Sequence, residues 1–276
     1  MPRNELPAEG KFQKKLDRDE RLYDVTQRMK IKRSEDYDVL EEVFDKPTLM
    51  TLYHLINKGV IDRLYGVVKS GKEARIYRGL NKSGRELAVK IYLVASAEFR
   101  KGMLQYIEGD RRFGKVKRDS RNLIYTWALK EFKNLEKAYS VGVRVPQPYA
   151  VENNVLVMEF IGSNGIPAPL LREAELHDPS RVYKKLLEYV KILYRDASLV
   201  HGDLSGFNVM VVNDEPVIFD LSQAVLLTHP MASQLLYRDL VNLANFFKHL
   251  GVEVEPVEVT YIWVTGSKPN FTLTGS

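Results

Sequence analysis

Between residues 64 and 93 apolar and polar side chains alternate, and glycines at 66, 71, 79 and 84 punctuate the run. That pattern predicts three strands with tight turns, because successive side chains on a strand point to opposite faces. Ahead of it, 45–59 reads as a helix: Leu49, Leu52, Tyr53 and Ile56 share a face, Pro47 suits the first turn and Gly59 the stop. The period becomes helical in 125–139, where Tyr125, Ala128, Leu129, Phe132, Leu135 and Tyr139 form a stripe. A continuous apolar run at 155–161 predicts a buried strand, and the Gly, Ser, Asn and Pro of 162–169 predict a linker. Asp178-Pro179 opens a helix expected to run through Leu199, and 230–250 predicts another, ended by Gly251. Apolar runs at 209–212 and 217–221, separated by Asn213-Asp214-Glu215-Pro216, read as a β-hairpin. The stretch 256–265, PVEVTYIWVT, stays open: β-branched residues favour a strand, and the length permits a short helix.

A mostly β first half and a mostly α second half imply an α+β chain with two lobes hinged near residue 160. The divisions are a charged, partly flexible extension (1–44), a β-rich N-lobe with a leading helix and a basic insertion at 100–121 (45–160), and a reduced α-rich C-lobe (161–276). At 276 residues and 45% hydrophobic content, a sizeable core is within reach. The absence of cysteine excludes disulfides, thiolate zinc sites and cysteine nucleophiles, and the histidines at 54, 177, 201, 229 and 249 are too scattered for a metal cluster. No apolar leader opens the chain and no apolar run approaches a membrane span, so a cytoplasmic location without a membrane partner is expected. A net charge of +5 matters chiefly through its distribution, since 100–121 carries eight basic residues against Glu108, Asp110 and Asp119. That stretch suits RNA phosphates, or is a solvated loop.

The hairpin holds the chemistry. Pairing Val212 with Val217 puts Val209 opposite Asp220 and leaves Asn208 beside it. An amide oxygen and a carboxylate converging there suit a hard cation such as Mg²⁺. Asp203, five residues before Asn208, can aim a second carboxylate at the same spot, the spacing of a catalytic Asp and a metal-binding Asn in phosphoryl-transfer enzymes. An Asx-rich turn is the plainer explanation. Upstream, GVVKSGKE (66–73) nearly spells a P-loop but ends in Glu73 and runs on as strand. It reads instead as a flap carrying Ser70, Gly71 and Lys72 over a nucleotide, or as an ordinary turn with an exposed lysine. In ELAVKIYL, Lys90 shares a face with Ala88 and Tyr92. It is either a solvent-facing strand lysine or a phosphate ligand in need of a carboxylate partner. Glu131, bordering the apolar stripe of its helix, is the candidate partner, with a solvated i,i+4 pair as its alternative.

Taken together, Ser70-Gly71-Lys72-Glu73-Ala74, Lys90, Glu131, Met158-Glu159-Phe160-Ile161, His201-Gly202-Asp203 with Asn208, and Asp220-Leu221-Ser222-Gln223 resemble the RIO family of atypical protein kinases. Tyr106-Ile107-Glu108-Gly109-Asp110 is similar to a signature of its archaeal type-one subgroup, and the likeness covers about residues 45–265. The resemblance implies a protein-kinase-like fold, with Lys90 on the α/β phosphates of ATP and Glu131 as its partner. It also implies Asp203 as catalytic aspartate, and Asn208 with Asp220 on Mg²⁺ or Mn²⁺. Adenine is expected against the backbone of Glu159 and Ile161 with Met158 behind it. It further implies an autophosphorylating kinase or ATPase, passing through a phospho-aspartate at Asp220, in maturation of the small ribosomal subunit. The partners are then the subunit precursor and its rRNA, with no DNA expected.

Two departures from ordinary kinases can be read directly. Gly202 stands where an arginine would clamp a phosphorylated activation loop. Only residues 221–228 separate Asp220 from His229-Pro230, where the next helix is expected, so an activation segment has no room. Ser120, near Arg118 and Arg121, is the candidate autophosphorylation site. The competing functions are a small-molecule kinase of the aminoglycoside or choline type, and an RNA-binding assembly factor with a vestigial pocket.

Overall fold

The computed structural model describes residues 44–93, 97–114 and 119–269. Most of the charged extension, together with Lys115, Lys117 and Arg118 of the basic stretch, lies outside these residues. Helix α1 (Lys46–Asn57) crosses the boundary between two compact units, which falls after Met50. In the first unit the helix is opened by Asp45, whose carboxylate accepts from the Thr48 N–H at 3.3 Å.

The second unit begins with a five-stranded antiparallel sheet in the order β1-β2-β3-β5-β4, built from β1 (Arg63–Ser70), β2 (Ala74–Leu80), β3 (Glu86–Tyr92), β4 (Pro148–Glu152) and β5 (Val155–Glu159). The three alternating strands expected in 64–93 are all present. β3 is buried along nearly its whole length because it lies mid-sheet, whereas β1 is an exposed edge broken by two register irregularities. Such bulges discourage a further strand from pairing there.

The basic insertion differs from expectation. Residues Ala97–Ile107 form helix α2, and helix α3 (Ser120–Ser140) starts five residues before the predicted Tyr125, because the Asp119 carboxylate caps it through the Asn122 N–H at 3.0 Å. Met103, Tyr106 and Ile107 make one buried apolar face on α2, with the Tyr106 ring 6.2 Å from that of Trp127. Arg112 is committed to the Asp110 carboxylate at 2.6–3.2 Å, and so is not a free cation for RNA. The buried stripe of α3 is also rotated from the apolar one: Trp127, Lys130, Glu131, Asn134 and Ala138 face inward, while Tyr139 is exposed.

Beyond β5, the predicted linker is a small hairpin, β6 (Gly162–Ser163) with β7 (Ile166–Pro167). Gly162 adopts φ 149°, and a Cβ there would lie 2.1 Å from the Ile166 carbonyl oxygen. Helix α4 (Pro179–Arg195), capped by Asp178, stops four residues short of Leu199. Leu199 and Val200 instead form β8, paired with β11 (Val225–Leu226). Helix α5 (Ala232–His249) follows, and 256–265 resolves into helix α6 (Val257–Thr265), closed by Gly266 at φ 80°. Packing of Tyr261 and Val264 into the core overrides the β-branched propensity.

The functional hairpin, β9 (Val209–Val212) and β10 (Glu215–Ile218), is shifted by two residues from the expected register. Val212 pairs with Glu215 and Val209 with Ile218, so Asp220 lies beyond the strand rather than opposite Val209. The cause is the turn. Asn213 and Asp214 take φ of 52° and 58°, the signature of a two-residue type I′ turn, which Asn and Asp tolerate. Pro216 then falls opposite Val211, whose N–H points outward to the Pro169 carbonyl at 3.0 Å. At that non-hydrogen-bonded pair the missing proline N–H costs nothing. An even shift keeps every side chain on its expected face.

Phe247 is fully buried where α5 meets α4, its ring 5.0 Å from Tyr183. Phe247→Ala is expected to destabilise the protein by about 3–5 kcal/mol, read as a lower urea midpoint at unchanged m-value.

Candidate active site

Lys90 lies on β3 and Glu131 on the inward face of α3, and their side chains meet. The Lys90 Nζ donates to both Glu131 oxygens at 2.9 Å and to Asp220 Oδ1 at 2.9 Å. Glu131 is wholly buried and also accepts from the Tyr92 hydroxyl. Burial opposes the Lys90 cation, but the Asp220 and Glu131 carboxylates outweigh it and hold its pKa above that of a free lysine. Asp220 responds in the opposite sense: burial pushes its carboxyl up, yet Lys90 and the Ser222 hydroxyl together bring it below the ordinary carboxylate range.

The loop before β9 carries Asp203 and Asn208. The Asn208 Nδ2 donates to the Asp203 carbonyl at 2.8 Å and to its carboxylate at 3.0 Å, which leaves the amide oxygen available. The Asn208 carbonyl in turn accepts from the Phe219 N–H at 3.0 Å, so Asn208 and Asp220 stay neighbours although the ladder has ended. Asp220 itself takes φ 60° and keeps 39% of its side chain exposed. An amide oxygen beside a partly exposed carboxylate fits a hard divalent cation that completes its shell with water or phosphate oxygens. Among the described residues no group of three His, Cys, Asp or Glu side chains could hold a metal alone.

His201 is a brace rather than a base. Its Nδ1 accepts from the Asp203 N–H at 3.3 Å and its Nε2 bonds the Phe219 carbonyl at 3.1 Å, while burial lowers its pKa and keeps the ring neutral. Further bonds come from α5. The Asp239 carboxylate accepts from the Gly202 and Leu204 N–H groups at 2.7 and 2.8 Å, Arg238 donates to the Gly202 carbonyl, and Asn242 donates to that of Leu204 at 3.1 Å. Burial pushes the Asp239 carboxyl up to about 7 despite those two N–H donors. Gly202 is needed here for φ 80°, and a Cβ would come within 3.3 Å of the Gln223 carbonyl oxygen.

A cavity of about 270 Å³ opens between the sheet and these loops, lined by Gly71, Lys72, Lys90, Glu131, Met158 and Asp220 of the expected residues. Glu73 lines it too, its pKa raised by burial and by the nearby Asp220 and Asp203 carboxylates. Ser70, Asp203, Asn208, Glu159 and Ile161 are not among its walls. Ser70 pairs with Arg75 at the exposed end of β1. Glu159 turns its carboxylate to Arg144 at 2.7 and 2.8 Å, and the Ile161 carbonyl accepts from Ala168 at 2.9 Å. Asp239, Lys130 and Asn134 escaped the sequence reading. Their signal was a polar side chain inside a buried helix face: Asp239 lies among Leu235, Leu236, Leu240 and Leu243.

An antiparallel sheet bearing a lysine paired to a helix glutamate, set over a loop that presents Asp, Asn and a second Asp, defines the protein-kinase class of phosphoryl-transfer fold. The sequence profile of the RIO domain matches residues 75–260; the chain belongs to the RIO family and is an atypical serine/threonine protein kinase. RIO-type serine/threonine-protein kinases Rio1 of Haloferax volcanii and Methanocaldococcus jannaschii are 41% and 42% identical to it, over 87% and 85% of this chain and 82% and 79% of their own. The human serine/threonine-protein kinase RIO1 is 35% identical over 86% of this chain but 42% of its own length. A crystal structure of the Rio2 kinase-ADP/Mg²⁺-phosphoaspartate complex from Chaetomium thermophilum shares the fold, with TM-score 0.62 and 22% identity over 81% of this chain and 67% of that one. The small-molecule kinase alternative loses its footing against these relatives. Among the described residues no helix is long and apolar enough to cross a membrane.

Removing Lys90 strands a buried carboxylate. Lys90→Met is expected to cost about 3–5 kcal/mol, whereas Lys90→Met/Glu131→Leu recovers much of that loss; urea unfolding of both variants, each beside wild type, measures the difference.

Proposed function

We propose that this kinase binds ATP with Mg²⁺ in the cavity beneath the 70–74 flap and works chiefly as an ATP-driven switch in the cytoplasm, on the small ribosomal subunit precursor and its rRNA. The observation that carries the reading is the Lys90 ammonium shared between Glu131 and Asp220 at 2.9 Å, which sets a cation and a partly exposed carboxylate side by side at the cavity wall. Lys90 and Lys72 would meet the phosphates, the backbone of Glu159 and Ile161 the adenine, and Met158 the inner wall. The Asn208 amide oxygen and the Asp220 carboxylate would hold the cation, Mg²⁺ or Mn²⁺. When bound, that cation neutralises charge on the phosphate oxygens.

The short link from Asp220 to α5 supports a switch over efficient trans-phosphorylation. Residues 221–231 contain only β11 and turns, with no surface to align a peptide hydroxyl over Asp203. Asp220, which lines the cavity beside Lys90, is the proposed acceptor. One of its oxygens forms a bond to the γ-phosphorus as the bond to the β,γ-bridging oxygen breaks and ADP leaves. Water then attacks the phosphorus, Asp203 takes its proton, and phosphate departs as the Asp220 carboxylate is restored. The same site can load a serine slowly, and Ser120 at the start of α3 is the proposed autophosphorylation target.

Asp220→Asn should abolish turnover and weaken Mg²⁺-dependent ATP binding, while Asp203→Asn should spare binding and lose about a hundredfold in rate. Label from γ-labelled ATP trapped by rapid quench should be released by hydroxylamine and map to Asp220. Hydroxylamine-stable label on serine, with many turnovers on a generic protein substrate, would instead favour a conventional trans-kinase.

For the RNA partner, four cations close together in the basic stretch, Arg111, Lys115, Lys117 and Arg118, are the proposed phosphate contacts. Reversing three of them should flatten the slope of log K against log salt by about 0.7–0.9 per contact, with ATP affinity unchanged. An unaltered slope would remove this stretch from the interface.

A further inference from the structure

Two side chains of α3 lie outside the reaction described above. Lys130 is wholly buried, sends its Nζ to the carbonyl oxygens of Ser222 at 2.9 Å and of Ala224, and lies 5.4 Å from the centroid of the Trp127 ring. One turn later Asn134, also wholly buried, donates its Nδ2 to the carbonyls of Leu221 at 2.8 Å and Ala224 at 3.0 Å. Three backbone carbonyls of the four residues after Asp220 are therefore held by a single helix turn, and the same turn carries Glu131.

An ammonium in the interior is costly, and carbonyl dipoles compensate it less well than a carboxylate does. Burial, with Arg112 nearby, brings the Lys130 pKa down to about 7 although Asp110 and Glu131 work the other way. A methionine would fill the space against Trp127 without that cost but could not bond the loop. Inside the loop the Ala224 N–H bonds the Leu221 carbonyl at 3.2 Å and the Ser222 hydroxyl bonds Asp220, and α3 adds a hold from outside. Asp220 takes a left-handed φ of 60°, its upstream neighbour Phe219 is tied to Asn208, and downstream the chain is next fixed where Val225 pairs with Val200. Between those anchors, residues 221–224 bend across the face of α3.

We infer that Lys130 and Asn134 are positioning residues for Asp220: by gripping the carbonyls of residues 221–224 they set the direction from which its carboxylate meets a divalent cation, and they tie that direction to Glu131 through one rigid turn of α3. The inference rests on the assignment of Asp220 as a metal ligand.

The test uses the full chain with Lys130→Met, Asn134→Leu and the milder Asn134→Ala, so that one poorly folding variant does not end it. Nucleotide affinity is measured with and without Mg²⁺, and amide hydrogen exchange across 218–226 is followed in the protein alone. The expected result is unchanged affinity without metal, a magnesium-dependent gain reduced by about 10-fold or more, the size seen when groups behind a metal ligand are removed, and faster exchange confined to 218–226. Variants that only lose melting temperature, with the magnesium gain and local exchange as in wild type, would overturn the inference and leave plain core packing. Asp220→Asn run alongside separates the two levels. If it retains the magnesium gain, the metal assignment falls and the inference with it; if it loses the gain while the α3 variants keep it, only the positioning role is overturned.

Discussion

A lysine ammonium that is almost wholly buried on a central strand has to find carboxylates, and Lys90 finds two, one from each side of the cleft: Glu131 on α3 and Asp220 at the end of the functional hairpin. Breaking such a pair leaves an uncompensated charge in a medium that cannot hydrate it, which is why its loss costs more than its formation gains. That one cation ties α3 and the Asp220 loop to β3. It also lowers the Asp220 pKa and so favours its ionised carboxylate.

Two helices then hold the loops that bring chemistry to this pair. Helix α5 bonds the N–H and carbonyl groups of Gly202 and Leu204 through Arg238, Asp239 and Asn242, fixing the stretch around Asp203. Helix α3 grips the carbonyls that follow Asp220. Each anchors loop backbone with polar side chains inside an otherwise apolar face. A bond to backbone restrains where an aspartate sits without occupying its carboxylate, and positioning catalysis depends on restraint of that kind. The RIO-domain match, residues 75–260, spans both of these loops and the Lys90–Glu131 pair.

Much of the site was legible because its residues sit at fixed short spacings in elements with clear periods. Strand alternation put Lys90 on a face with Ala88 and Tyr92 but left it open whether that face met solvent until Glu131 was found as its partner, and Asp203 with Asn208 were read from their separation of five. Other features were read less well. The hairpin register slipped by two because both a four-residue and a two-residue turn were compatible with Asn213-Asp214-Glu215-Pro216, and only the outward bond from Val211 to Pro169 shows why Pro216 can sit within the strand. The face of α3 was rotated because apolarity was taken to mark the buried side, whereas Lys130, Glu131 and Asn134 are buried by virtue of their bonds.

The sequence by itself determined helix α1, strands β1 to β3 and β5, helices α3 to α5 and the β9–β10 hairpin in kind and order, the residue types of the candidate site, and the short path from Asp220 to α5. These depend on local period, turn chemistry and spacing, which act over a few residues. Only the tertiary structure decided that 257–265 is helix, that Arg112 is paired within its own segment, and that Asp239, Lys130 and Asn134 hold the two loops. Those outcomes depend on partners 2 to 94 positions away along the chain, and a buried polar group is identified only when the groups that satisfy it are in view.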